Sequence, residues 1–154
     1  MKIDVDAFYM PFPERPIAQD LKLAESEMWS WLDKFGLCPS RQATQHLQRT
    51  RPEVITALYI PAADESTLPY LSQWMAWFFV IDDQFDHSGP SGRNGPRCAE
   101  TIRSILSVIE HEPAVSSPVE LNSLPRAHRA LVDLWGRLPS HLEPILKPGL
   151  RQAN

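Results

Sequence analysis

The chain has 154 residues, 43% of them hydrophobic, with five Trp, three Tyr and six Phe, enough for one helical or mixed domain with a sizeable core. A formal net charge of −4 argues against a general nucleic-acid or anionic-membrane surface. Two cysteines, Cys38 and Cys98, make neither a disulfide framework nor a zinc site and read as reduced cytosolic thiols.

No apolar signal segment follows Met1, and the longest apolar run, Met75 to Ile81, is far short of the roughly 20 residues that cross a bilayer. The expected location is the cytoplasm. Pro16 suits the first turn of a helix carrying Leu21, Ala24, Met28, Trp31, Leu32 and Phe35 at steps of three and four, with Gly36 as the stop. Ser40 to Tyr59 is less periodic and predicts one or two short helices split near Pro52. Ser66 or Thr67 can cap a long aromatic helix, with Pro69 in its first turn, running over residues 67–86 for about 30 Å.

Ser88 to Pro96, rich in Gly and Pro, predicts a loop; it lacks the closing G-K-[ST] of a phosphate-binding P-loop. Ala99, Ile102, Ile105, Leu106 and Ile109 mark the next helix, ended by Pro113. Ser123 is a candidate cap for a last helix carrying Ala127, Leu131, Leu134, Trp135 and Leu138. Strand signals are lacking, so the expected fold class is all-α.

The long helix carries the chemistry. Trp74-Met75-Ala76-Trp77-Phe78-Phe79-Val80-Ile81 is apolar all round, which predicts burial, and it leads into Asp82-Asp83-Gln84-Phe85-Asp86. Asp82 and Asp86, four residues apart, share a helix face. Carboxylates in a last turn meet the negative end of the macrodipole, unfavourable by about 0.3–1 kcal/mol each. No Lys or Arg lies between Arg51 and Arg93 to relieve them. A hard divalent cation such as Mg²⁺ would; the bland alternative is a solvated helix end. His46, His87, His111, His128 and His141 show no metal-ligand spacing. Arg126 and Arg129 read as a solvated face, while Arg93 and Arg97 border the loop within reach of an anion.

Trp74 to Asp86, read as W-x-x-W-x-F-x-x-D-D-x-x-D, resembles the aspartate-rich motif of microbial class I terpene synthases. Phe8 to Arg15 is similar to the family's F-x-x-P-F-P-x-R segment, Trp29 to Leu37 to its first helix ending in F-G-L, and Ala130 to Trp135 to its A-L-x-D-L-W helix. The four occur in family order over residues 8 to about 138. The family's second metal motif, N-D-x-x-S-x-x-x-E, its sensor arginine and its late R-Y pair have no counterpart. Residues 1–154 are thus expected to form the N-terminal part of one terpene synthase domain: a partial helical bundle, truncated before the second motif.

The resemblance implies Mg²⁺-dependent ionisation and cyclisation of an allylic prenyl diphosphate, farnesyl diphosphate foremost. Asp82 would be the primary metal ligand and Asp86 a secondary one, with Asp83 orienting the closed state and Phe78 and Phe79 walling the cavity. Trp77, Tyr59 and Trp74 read as core packing. An incomplete bundle is expected to leave Trp74, Phe78 or Phe79 exposed, to self-associate through that apolar surface and to be inactive alone. Two alternatives remain open: a non-catalytic remnant acting as an interaction module, and an all-trans prenyl diphosphate synthase, which would want a second D-D-x-x-D.

Overall fold

Ala24, Met28, Trp31 and Leu32 repeat at the helical period, and in the computed structural model they form the buried stripe of α1, Leu21–Phe35. The structure describes residues 21–85, 94–111 and 123–138. The Phe8–Arg15 segment, Pro16, Asp86, His87, Arg93 and Pro113 lie outside these. Beyond α1 come α2 (Arg41–Thr50), α3 (Pro52–Tyr59), α4 (Thr67–Phe85), α5 (Gly95–His111) and α6 (Arg126–Gly136). Among the described residues there is no strand.

Helix ends follow local chemistry. Gly36 closes α1 at φ 61°, a left-handed conformation that glycine adopts without a Cβ penalty. The Ser40 side chain accepts from the Ala43 amide and caps α2. Between α2 and α3 a single residue serves both helices. Arg51, at φ 54°, returns its amide to the Leu47 carbonyl, and Pro52 then supplies the fixed φ of the first turn of α3. The Arg51 guanidinium pairs with the buried Glu53 carboxylate, so the left-handed residue is held from both sides.

Two caps differ from expectation. The acceptor before α4 is Asp64, not Ser66 or Thr67: its Oδ1 takes the Ser66 and Thr67 amides, and its carbonyl takes the Leu68 amide at 2.9 Å. Ser66 donates its hydroxyl to the same carboxylate. These hydrogen bonds hold the Asp64 carboxyl down at about 2. At α6 the cap position falls to Pro125, which has no side-chain acceptor, rather than Ser123. The loop expected through Pro96 is shorter than predicted, because Asn94 accepts from the Arg97 amide and α5 starts at Gly95.

α4 is central, packing on α1, α3 and α6, and α5 packs on α6. The main core joins Met28, Trp31 and Leu32 of α1 to Tyr70, Ala76, Trp77 and Ile81 of α4 and to Ala127, Ala130, Leu131 and Leu134 of α6. A smaller cluster, Ala24, Ala57 and Leu68, seats α3. Two aromatic polar tips inside this core are satisfied: Tyr70 Oη donates to the Leu134 carbonyl and Trp77 Nε1 to the Ala127 carbonyl, each at 2.8 Å. Asp133 ties α6 to α1, accepting from Trp31 Nε1 at 2.9 Å and Lys34 Nζ at 3.0 Å, and it also pairs with Arg137.

Burial pushes the Asp133 carboxyl up, but the hydrogen bonds from Trp31, Lys34 and Arg137 outweigh it and hold the group below its ordinary value. A carboxyl depressed on folding contributes stability above its unfolded value of about 3.9, lost as pH falls through the folded one. Asp133→Asn is therefore expected to cost about 1–3 kcal/mol in urea unfolding at pH 7. The gap to the unsubstituted chain should narrow as pH drops below about 4; a gap constant with pH would remove Asp133 from this role.

Candidate functional site

Nineteen residues of uninterrupted helix carry the aspartates to the end of α4. The expected helix over residues 67–86 is present through Phe85. Its expected burial all round is not: Ala76, Trp77 and Ile81 are buried, Trp74, Met75 and Phe79 half-buried, and Phe78 is 56% exposed, the exposure expected of an incomplete bundle. Phe78 is the residue one helical turn before Asp82, which puts the exposed ring and the exposed carboxylate on one face. Trp74, four residues earlier still, stacks against Phe78 with centroids 6.0 Å apart. The face toward solvent is thus a ladder of Phe78 and Asp82, with half-buried Trp74 one turn before them. Phe79 lies about 100° around the helix and packs against the main core.

The two described aspartates differ in surroundings. Asp82 makes no ion pair among the described residues, and the last turn of α4 has no basic side chain. Asp83 projects toward α2, where its Oδ1 is 3.5 Å from His46 Nε2. Its charge also reaches Cys38, whose thiol is pushed up by burial first and by Asp33 and Asp83 after it. His46 was not picked out from sequence as a neighbour of the motif, since 37 positions separate it from Asp83 and only the α2–α4 contact joins them.

Oxygen donors at a helix C-terminus with no cation of their own suit a hard divalent ion such as Mg²⁺ in chemistry. In number they fall short. Among the described residues no group of three or more His, Cys, Asp or Glu is assembled to hold a metal ion, and Asp86 lies outside the described residues. Packing assignments divide likewise: Trp77 is buried as expected and Trp74 sits among Tyr70, Trp77 and Trp135. Tyr59, expected to pack, is 78% exposed at the end of α3 beside exposed Leu58 and Ile60. Its helix has only two turns, and α4 covers the opposite side through Ala57. No described helix is long and apolar enough to cross a membrane.

Substitutions should separate the two sides of α4. Phe78→Ser is expected to change unfolding stability by no more than about 0.5 kcal/mol and to reduce hydrophobic-dye binding. Trp77→Ala removes a core side chain and an indole hydrogen bond, for an expected loss of about 3–5 kcal/mol. Comparable losses from both would mean that the Phe78 face is covered in solution.

No protein-family model matches the chain. Individual proteins do. The chain is 35% identical over 134 residues to (2Z,6E)-hedycaryol synthase of Kitasatospora setae, an alignment covering 87% of the chain and 37% of that protein. It is 27% identical over 131 residues to a (2E,6E)-farnesyl diphosphate-cyclising (−)-β-caryophyllene synthase of Saccharothrix espanaensis, covering 85% of the chain and 35% of that protein. A solved hedycaryol synthase in complex with HEPES superposes with a TM-score of 0.69 at 29% identity, over 99% of the chain and 50% of that structure. The chain thus spans between about a third and a half of the proteins it matches.

Proposed function

We propose that this chain, a partial-length relative of the bacterial class I terpene synthases with their all-α fold, supplies the aspartate-bearing wall of a cyclase. The reaction is ionisation and cyclisation of an allylic prenyl diphosphate, with farnesyl diphosphate as the first substrate to test. The observation that carries this reading is the ladder on α4, where exposed Asp82, with no ion pair among the described residues, stands one turn beyond exposed Phe78.

Each part suits the chemistry. Departure of diphosphate concentrates negative charge at one end of the substrate and leaves a cation at the other. Mg²⁺, when bound, would neutralise the leaving group. Asp82 and Asp86 are the carboxylates to hold it. Asp83, turned toward His46 on α2, suits an orienting role better than a ligating one. Phe78 offers a ring face to a carbocation, Phe79 backs it from the core, and apolar neighbours keep water from quenching the cation. The β-caryophyllene synthase relative, named for cyclising farnesyl diphosphate, supports the choice of substrate.

The 154 residues act as part of one domain, and alone they are inactive: two described carboxylates cannot complete the near-octahedral oxygen shell of Mg²⁺. Association through the Phe78 face, with a second copy or with the rest of a cyclase, accompanies that incompleteness. Free Cys38 and Cys98 fit a reducing cytoplasmic setting. The exposure of Phe78, Tyr59 and Leu58 keeps one alternative in play, a non-catalytic interaction module.

Incubating the purified chain with farnesyl diphosphate and Mg²⁺ is expected to give no cyclised product. Substituting it for the matching segment of the Kitasatospora setae hedycaryol synthase should give product by gas chromatography, with a loss of at least about 100-fold on Asp82→Ala. A folded chimera that is inactive, or one indifferent to Asp82→Ala, would overturn the reading. Product from the 154 residues alone would overturn only the claim of inactivity.

A further inference from the structure

The exposed side of α4 has a rigid backing. Tyr70 and Trp77 tie the other side of the helix to α6 through the Leu134 and Ala127 carbonyls, so the outward direction of Phe78 is fixed. Trp74, one turn below, is braced by Tyr70, Trp77 and Trp135, with ring centroids 6.5, 5.9 and 6.4 Å away, and it carries the Phe78 ring at 6.0 Å. A phenylalanine held in this way and 56% exposed loses little conformational freedom when it is covered, which is what a docking anchor requires.

A second copy covers it badly. In a two-fold pair centred on Phe78 with the helices antiparallel, each Asp82 would meet the other copy's Trp74, a carboxylate against the negative face of an indole. With the helices parallel, the two Asp82 carboxylates would meet at helix ends whose last turns hold no basic side chain. Either arrangement buries a charge without a partner. The face calls for a different surface, apolar opposite Phe78 and carrying a donor or a cation opposite Asp82.

Length bears on what that surface belongs to. The chain superposes along 99% of its residues on 50% of a solved hedycaryol synthase, so half of that fold has no counterpart in these 154 residues. The described helices α1, α4 and α6 share a core of their own that does not include Phe78. Taking the identity of the partner from the cyclase reading, we propose that the Phe78 face of α4 docks the complementary half of a class I terpene synthase fold as a separate polypeptide, one to one. Phe78 is the anchor, seated in an apolar pocket of that half, and a basic or amide side chain faces Asp82. The surface is preformed, so the two halves need no covalent link.

The test is co-expression of the 154-residue chain with the part of the Kitasatospora setae hedycaryol synthase that lies beyond the matched segment, purified in EDTA so that docking is separated from metal binding. Light scattering is expected to show a one-to-one complex, with the hydrophobic-dye signal of the free chain lost. Phe78→Glu should weaken the complex at least about 30-fold, the scale of an interface hot spot. Leu106→Glu, an exposed apolar position on α5, should leave it unchanged. Absence of a complex, equal weakening by Leu106→Glu, or a homodimer that excludes the added half would each overturn the proposal. The cyclase reading is judged apart from it by the covalent chimera. An active chimera with no complex between separate chains would remove the docking proposal and leave the reading standing; a Phe78-dependent complex beside an inactive chimera would do the reverse.

Discussion

The bundle depends on two hydrogen bonds that fix how α4 lies along α6. Tyr70 and Trp77 are seven residues apart on α4, and their acceptors, the Leu134 and Ala127 carbonyls, are seven apart on α6 in the reverse order. Seven residues make two helical turns, about 10.5 Å, so both bonds form together only when the helices run antiparallel in one register. Aromatic side chains with polar tips impose this. Each buries a large ring, and each would leave an orphan donor in the core if the helices slipped by one residue.

From that pairing the other elements take their places. Asp133 is on α6 one residue before Leu134, and it draws in Trp31 and Lys34, so α1 is fixed by the helix that α4 already holds. Arg137 extends the same group to Gln73 of α4 at 2.7 Å, closing a ring of polar contacts around the α1–α4–α6 junction. With this side of α4 committed to the core, its other side is left to Phe78 and Asp82. The exposed ladder follows from where Tyr70 and Trp77 have to point.

Sequence disclosed the helices and the residues that stop them, because Gly36, Pro52 and the three-and-four spacing of Ala24, Met28, Trp31 and Leu32 are local signals. It was a poorer guide to which faces are covered. Ile102 and Leu106 read as core yet are exposed, while Val108 of the same helix is buried. Periodicity marks an apolar stripe but carries no information about what lies against it. The all-round apolarity of Trp74 to Ile81 likewise suggested burial where Phe78 is open. At the candidate site, spacing sets both Phe78 and Phe79 on roughly the face of Asp82; Phe78 is exposed there, whereas Phe79 packs against the core. The approach of His46 to Asp83 was not legible, since it depends on how α2 docks.

That docking leads back to the turn between α2 and α3. Arg51 ends one helix and begins the next with no spacer residue, and its guanidinium is moored to Glu53. Such a junction works as a rigid elbow: the angle between the two helices is set at one pair of dihedrals. Because α3 is seated on α4 through Ala57 and Leu68, the elbow passes that placement on to α2. The distance between His46 and the aspartate motif is then set by a residue with no part in the motif. A glycine at position 51 would accept the same dihedral angles at lower cost while freeing the joint, so the orientation of Asp83 would come to vary with the swing of α2.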